Sequence, residues 1–212
     1  REAMLKYFDS EPTVKVQDLA RKIRHHRLPV KAAPKPLPPL PKDELANKPP
    51  FLAPETAPYF VGRAKPLVEL RQALTSESGL PRLGIVGLGG IGKTTLALHL
   101  AHMLRDDFPD GVLWANVADE QPEEIATRWA AAYGHDFSQQ NSSVERLAAA
   151  RRLLAEKRAL LIFDDVRAGG RIRHLLPELG QCAVLITSRA DRIVQSVGAE
   201  SILLAQFSVD NG

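Results

Sequence analysis

The chain has 212 residues, 44% of them apolar, a net charge of +3 and one cysteine, Cys182. No run of 18 apolar residues occurs, so no membrane-spanning helix is expected, and the opening Arg1-Glu2-Ala3-Met4 shows no apolar core, so no secretory signal is visible. A lone thiol excludes an internal disulfide and suits a reducing cytoplasm, while the apolar share can fill a core of ordinary size.

The charge is uneven. Residues 1–50 hold 11 Lys or Arg against 6 Asp or Glu, and residues 51–212 hold 17 against 19. The basic part is compatible with nucleic acid, but a solvated basic linker is the simpler reading. Val16, Leu19, Ala20 and Ile23 fall near helical spacing, which predicts a helix over about 17–27. Residues 1–28 therefore read as a short helical segment, the tail of an N-terminal module. His25 and His26 are adjacent on that helix and point in different directions, which argues against a metal site. Ten of the 16 prolines lie between Pro29 and Pro58. Proline fixes φ and removes N–H donors, so residues 29–57 read as an extended, semi-rigid linker. Its P-x-x-P spacings also fit an aromatic groove, with the spacer reading favoured.

From residue 60 onward helix and strand patterns alternate. A helix is expected over 66–76, with Leu67, Leu70 and Leu74 inward. Leu83-Gly84-Ile85-Val86 reads as a buried strand. Leu96, Leu98, Leu100, Ala101 and Leu104 mark the next helix, and Val112 to Val117 a second strand. Helices over 122–133 and 142–156 follow. Ala159-Leu160-Leu161-Ile162-Phe163 is a third strand, continuous in apolar character and so covered on both faces. A helix over 171–179, a strand at Ala183-Val184-Leu185-Ile186-Thr187, a short helix over 191–197 and a strand at Ile202-Leu203-Leu204 complete the series. Such alternation implies an α/β fold with a parallel sheet and right-handed crossovers. Trp114 and Trp129 read as core, and His99 and His102 as packing or surface groups.

Between the first strand and its helix stands Gly87-Leu88-Gly89-Gly90-Ile91-Gly92-Lys93-Thr94, then Thr95. It fits G-x-x-x-x-G-K-[ST] in the strand–loop–helix setting that this phosphate-cradling pattern needs. Glycines let the backbone wrap closely around phosphate oxygens, and successive N–H groups face inward at a helix N-terminus. Lys93 supplies a point charge for the β- and γ-phosphates, the Thr94 hydroxyl a ligand for Mg²⁺, and Thr95 a contact to the α-phosphate. Gly87, Gly89 and Gly92 also spell the dinucleotide fingerprint, with Asp119 as its ribose acid. The Lys-Thr pair has no part in that reading, which favours a nucleoside triphosphate.

Ligands of such sheets bind at the carboxyl ends of the strands. The third strand ends in Asp164-Asp165 and the fourth in Thr187-Ser188-Arg189. Asp164 is the candidate Mg²⁺ ligand with Thr94, and Asp165 the candidate for orienting or deprotonating water. Arg189 offers a fork of donors for a γ-phosphate. No Asn-Lys-x-Asp guanine motif is visible, which leans towards adenine.

Phe60-Val61-Gly62-Arg63, Gly87 to Thr95, Leu160 to Asp165 and Ile186-Thr187-Ser188-Arg189, in this order and spacing, resemble the NB-ARC domain of STAND-class signal-transduction ATPases. The resemblance covers about residues 58–207, with 208–212 as the start of a helical ARC subdomain. It implies a P-loop NTPase fold with sheet order 2-3-1-4-5. It further implies Val61 and Arg63 near the adenine or adjoining phosphates and Gly87, Gly89, Gly90, Ile91 and Gly92 around the phosphates. Lys93, Asp165 and Arg189 would be the catalytic or sensing groups. Family members are slow, Mg²⁺-dependent ATPases that switch between ADP-bound and oligomeric ATP-bound states and act through an N-terminal effector, in defence among other pathways. Two rival readings are an ATPase module of a DNA-binding regulator and a P-loop small-molecule kinase.

Overall fold

The computed structural model describes residues 48–56, 62–76, 81–137, 142–177 and 180–205. The helix expected over 17–27, most of the proline-rich linker and Val61 lie outside the described residues. In chain order the elements are α1 (Ala64–Leu74), β1 (Arg82–Val86), α2 (Lys93–Met103), β2 (Val112–Asn116), α3 (Pro122–Ala132) and α4 (Ser143–Ala155). Then follow β3 (Leu160–Val166), α5 (Gly170–Arg173), β4 (Ala183–Ser188), α6 (Asp191–Gln195) and β5 (Glu200–Leu203).

The five strands form one sheet in the order β2-β3-β4-β1-β5, with every pairing parallel. The fold class is therefore as expected, but the strand order is not: β4, not β1, lies beside β3. All six residues of β4 are buried. A strand so fully covered is placed inside the sheet, and it pairs through Leu160↔Ala183 on one edge and Arg82↔Val184 on the other. β1 is thereby shifted towards the rim, between β4 and β5.

Alternate residues of the strands feed two cores. Leu113, Leu161, Phe163, Val184 and Ile186 face α3, α4 and α6, where Ile125, Trp129, Leu154 and Val194 pack. Leu83, Ile85, Trp114, Ile162 and Leu185 face the other way, against Leu70 and Leu74 of α1 and Leu96 and Leu100 of α2. Trp129 and Phe163 meet with ring centroids 5.3 Å apart. Each such large side chain, fully buried, contributes about 1.5–3 kcal/mol. Both tryptophans are core residues, as their strand and helix positions suggested.

Local signals set the starts of two helices. α3 starts with a capping box between Gln121 and Glu124 and has Pro122 in its first turn. Ser142 caps α4 by accepting the Glu145 N–H. α5 is much shorter than expected: it ends at Arg173, and Pro177 blocks its continuation. β3 is longer than its apolar run, continuing through Asp164 and Asp165 to Val166 with a register irregularity between Phe163 and Val166. β5 is a rim strand, and Leu203 is 75% exposed.

Beyond β2, the short stretch Pro50–Leu52 continues the sheet. Leu52 N–H donates to Val112 O and Val112 N–H to Pro50 O, both at 2.9 Å. The Phe51 ring lies edge-on to His102 at 4.8 Å and under the Arg105 guanidinium, also at 4.8 Å. His102 Nε2 is 2.8 Å from Pro54 O, and because a carbonyl only accepts, that nitrogen carries the hydrogen. His102 is thus an exposed residue whose ring holds Phe51 and Pro54 at the far end of α2.

Candidate functional site

The loop after β1 is shaped by two left-handed glycines, Gly90 at φ 75° and Gly92 at φ 96°, the latter directly before α2. Lys93 opens that helix and is 9% exposed. Its Nζ donates to Gly87 O at 2.9 Å and Leu88 O at 2.8 Å. Burial lowers its pKa below the ordinary lysine value, and the nearby Arg189 charge lowers it further, against the opposing pull of Asp165 and Asp164.

Thr94 Oγ1 donates to the Asp164 carboxylate, 2.9 Å from Oδ1 and 3.1 Å from Oδ2. Asp164 is itself buried at the end of β3. Thr187, on the neighbouring β4, donates its hydroxyl to Asp164 Oδ1 at 2.5 Å and accepts the Asp165 N–H at 2.9 Å. The observed strand order makes this possible, because it seats the end of β4 against the end of β3. Ser188 Oγ donates to Val166 O at 2.8 Å and fixes the turn that presents Arg189. The Arg189 guanidinium lies over the loop: a Cβ placed on Gly89 would be 3.6 Å from its Cζ.

A polar cavity of about 290 Å³ is common to Gly89, Gly90, Lys93, Thr94, Asp164, Asp165, Thr187 and Arg189. The amine, the carboxylates and the guanidinium selected from three strand ends therefore face one space. Arg167, Asn116, Ala118 and Asp119 complete its wall. Asn116 and Asp119 are joined at 2.6 Å, and Glu120 braces their turn by accepting the Asn116 N–H at 2.8 Å and pairing with Arg128 at 2.6 Å. A larger cavity of about 580 Å³, lined by Asp107, Arg158 and Gln181 among others, includes none of these residues.

Other expected site residues lie around this space rather than in its wall. Ile91 packs its side chain against the α1–α2 core. Arg63 is buried, and its guanidinium donates to Ala205 O at 2.7 Å and Ile91 O at 3.3 Å, clasping the loop from behind. Gly87, Gly92 and Thr95 are likewise not part of the cavity wall. The roles of Thr187 and Arg167 were not foreseen. Thr187 had a signal, a hydroxyl closing an otherwise apolar strand; Arg167 had none beyond lying next to a candidate site.

The residues present suit a hard divalent cation. Thr94 Oγ1 and the Asp164 carboxylate are oxygen donors already within 3.1 Å of each other. Among the described residues no group of three or more His, Cys, Asp or Glu forms a cage. One carboxylate and one hydroxyl fit Mg²⁺, which takes its remaining ligands from phosphate and water.

Comparison with known proteins decides the family. The NB-ARC domain family matches residues 63–209. The chain belongs to the NB-ARC family. This NB-ARC chain is 36% identical over 166 residues to the regulatory protein AfsR of Streptomyces coelicolor, covering 72% of the chain and 17% of AfsR. It is 38% identical over 109 residues to the disease resistance protein At4g27190 of Arabidopsis thaliana, covering 47% of the chain and 11% of that protein. The NB-ARC chain thus spans about 17% of the length of the first curated relatives it matches. Among solved structures, Cdc6p from Pyrobaculum aerophilum superposes with a TM-score of 0.57 at 20% identity, covering 80% of the chain and 50% of Cdc6p. That likeness speaks for the P-loop ATPase fold alone. This NB-ARC domain is a nucleotide-binding module of the P-loop ATPase type. No helix among the described residues is long and apolar enough to cross a membrane.

Proposed function

We propose that this NB-ARC domain is the adenine-nucleotide switch of a signalling protein. It binds ATP and ADP with Mg²⁺, hydrolyses ATP slowly, and couples the change of nucleotide to self-association and to an N-terminal effector. The observation that carries this reading is the single cavity shared by Lys93, Thr94, Asp164 and Arg189.

The roles follow from chemistry. The loop N–H groups of Gly87 to Thr95 and the Lys93 ammonium receive the phosphates. Thr94 and Asp164 hold Mg²⁺, which supplies charge neutralisation along the phosphate chain. Arg189 faces the terminal phosphate and distinguishes ATP from ADP. Asp165 orients the attacking water and accepts its proton. Arg63, which ties the loop to Ala205, is the described candidate for the adenine side. Relatives named as a regulatory protein and as disease resistance proteins support a role in signalling and defence over a metabolic one. The lone buried thiol supports a reducing, cytoplasmic setting.

Calorimetric titration of ADP and ATP with Mg²⁺ into the wild-type chain and Lys93→Ala tests the reading. Tight binding to the wild type and loss in the variant are expected. Equal, tight affinities in both would overturn it. Size measurement of a longer protein with ATP against ADP tests the self-association.

A further inference from the structure

One ion pair in the cavity wall is not used by the roles assigned above. Arg167 donates to Asp165 Oδ2 from Nη2 at 2.6 Å and from Nε at 3.1 Å. Among the described residues, Asp165 is the one non-glycine position with positive φ, at 50°. This turn falls within the register irregularity of β3, and Val166 resumes pairing with Ser188 beyond it. Backbone and side chain of Asp165 are thus held by different partners: the N–H by Thr187, the carboxylate by Arg167. Both Asp165 and Arg167 border the cavity that holds Lys93 and Thr94.

The pair is asymmetric. The Arg167 side chain is 66% exposed and that of Asp165 28%. An exposed partner is held weakly and exchanges readily with water. While the pair is closed, two N–H groups occupy the lone pairs of Oδ2 and fix the rotation of the whole carboxylate.

We propose that Arg167 is a positioning residue that restrains Asp165 and thereby slows hydrolysis of bound ATP. This rests on the nucleotide-switch reading above. In the restrained step, a water oxygen bonds to the terminal phosphorus and the bond from that phosphorus to its bridging oxygen breaks. The electron pair leaves on the diphosphate, and one water proton passes to the Asp165 carboxylate. Hydrolysis proceeds in the fraction of time the ion pair is open. Removing the guanidinium makes that fraction complete.

The experiment is single-turnover ATP hydrolysis by the 212-residue chain with Mg²⁺, read alongside nucleotide affinity. Arg167→Gln is expected to raise the single-turnover rate about two- to fivefold, the range an exposed ion pair commands. ATP affinity should stay within about twofold, because the lost contact is to a carboxylate rather than to ligand. Arg167→Lys keeps one donor and should give a smaller gain. The gain should vanish when Asp165→Asn is combined with Arg167→Gln. An unchanged or lower rate in Arg167→Gln, including no turnover in either protein, overturns the proposal. So does an equal gain in the Asp165→Asn background. Undiminished nucleotide binding by Lys93→Ala would instead overturn the underlying switch reading, and this inference with it.

Discussion

Thr94 and Asp164, on α2 and β3, meet in one hydrogen bond at 2.9 Å. The helix that begins in the phosphate loop and the strand that carries the carboxylate are thereby joined at the point where a divalent cation would be held. Either member alone is an incomplete ligand set. Thr94→Ala and Asp164→Asn should each weaken Mg²⁺-dependent ATP binding by at least about tenfold. Binding of ADP without Mg²⁺ should change far less. Titrations with Mg²⁺ and with EDTA separate the two.

Arg189 lies over Gly89 and beside Lys93, where it adds positive charge to the cavity. Arg189→Ala should lower affinity for ATP more than for ADP, by a ratio of about tenfold, the worth of a charge-assisted contact to one phosphate. Competition between the two nucleotides for wild type and variant checks the ratio. Equal losses for both would remove Arg189 from the sensing role.

Gly84 and Val194 are packed so closely that a Cβ at Gly84 would meet the Val194 methyl carbons at 2.3 and 2.6 Å. Valine is stiff at χ1 and Val194 is fully buried, so it has little room to yield. Gly84→Ala should destabilise the chain by about 1–3 kcal/mol. Combining it with Val194→Ala should recover part of that loss, so the two effects should be far from additive. Urea unfolding of the two single variants and the double variant measures the coupling.

Cys182 is buried, and its thiol donates to Leu154 O and Lys157 O, both at 3.3 Å. Burial pushes its pKa from 9.0 up to about 11. A thiol whose folded pKa is raised contributes nothing pH-dependent below 9, where both states hold the proton. Between about 9 and 11 the unfolded chain loses its proton first, so stability falls as pH rises, by at most about 1.4 kcal/mol per pH unit. Cys182→Ala should flatten that decline in denaturation midpoints measured across pH 8.5 to 11. An identical slope in the variant would assign the decline to other groups.

The meeting of the candidate residues in one cavity was legible because they sit in short contiguous runs. Gly87 to Thr95, Asp164-Asp165 and Thr187-Ser188-Arg189 each declare a strand end, and the sheet rule alone brings them to one rim. The strand order was not legible, because which strand neighbours which is decided by burial of whole segments, and the order implied by resemblance put β1 where β4 lies. Thr187 could be placed at a strand tip but not against Asp164 without that order. The Asp165–Arg167 contact depends on a φ of 50° that no residue type announces. The early end of α5 was written in Pro177, which the helix expected over 171–179 ran through.

The seat of Phe51 on His102 and Arg105 gives α2 a handle at the end opposite Lys93. A helix of 11 residues is a strut about 16 Å long. With Gly92 and Lys93 at one tip and Phe51 seated at the other, that strut ties the stretch lying beside β2 to the glycine loop through one rigid element.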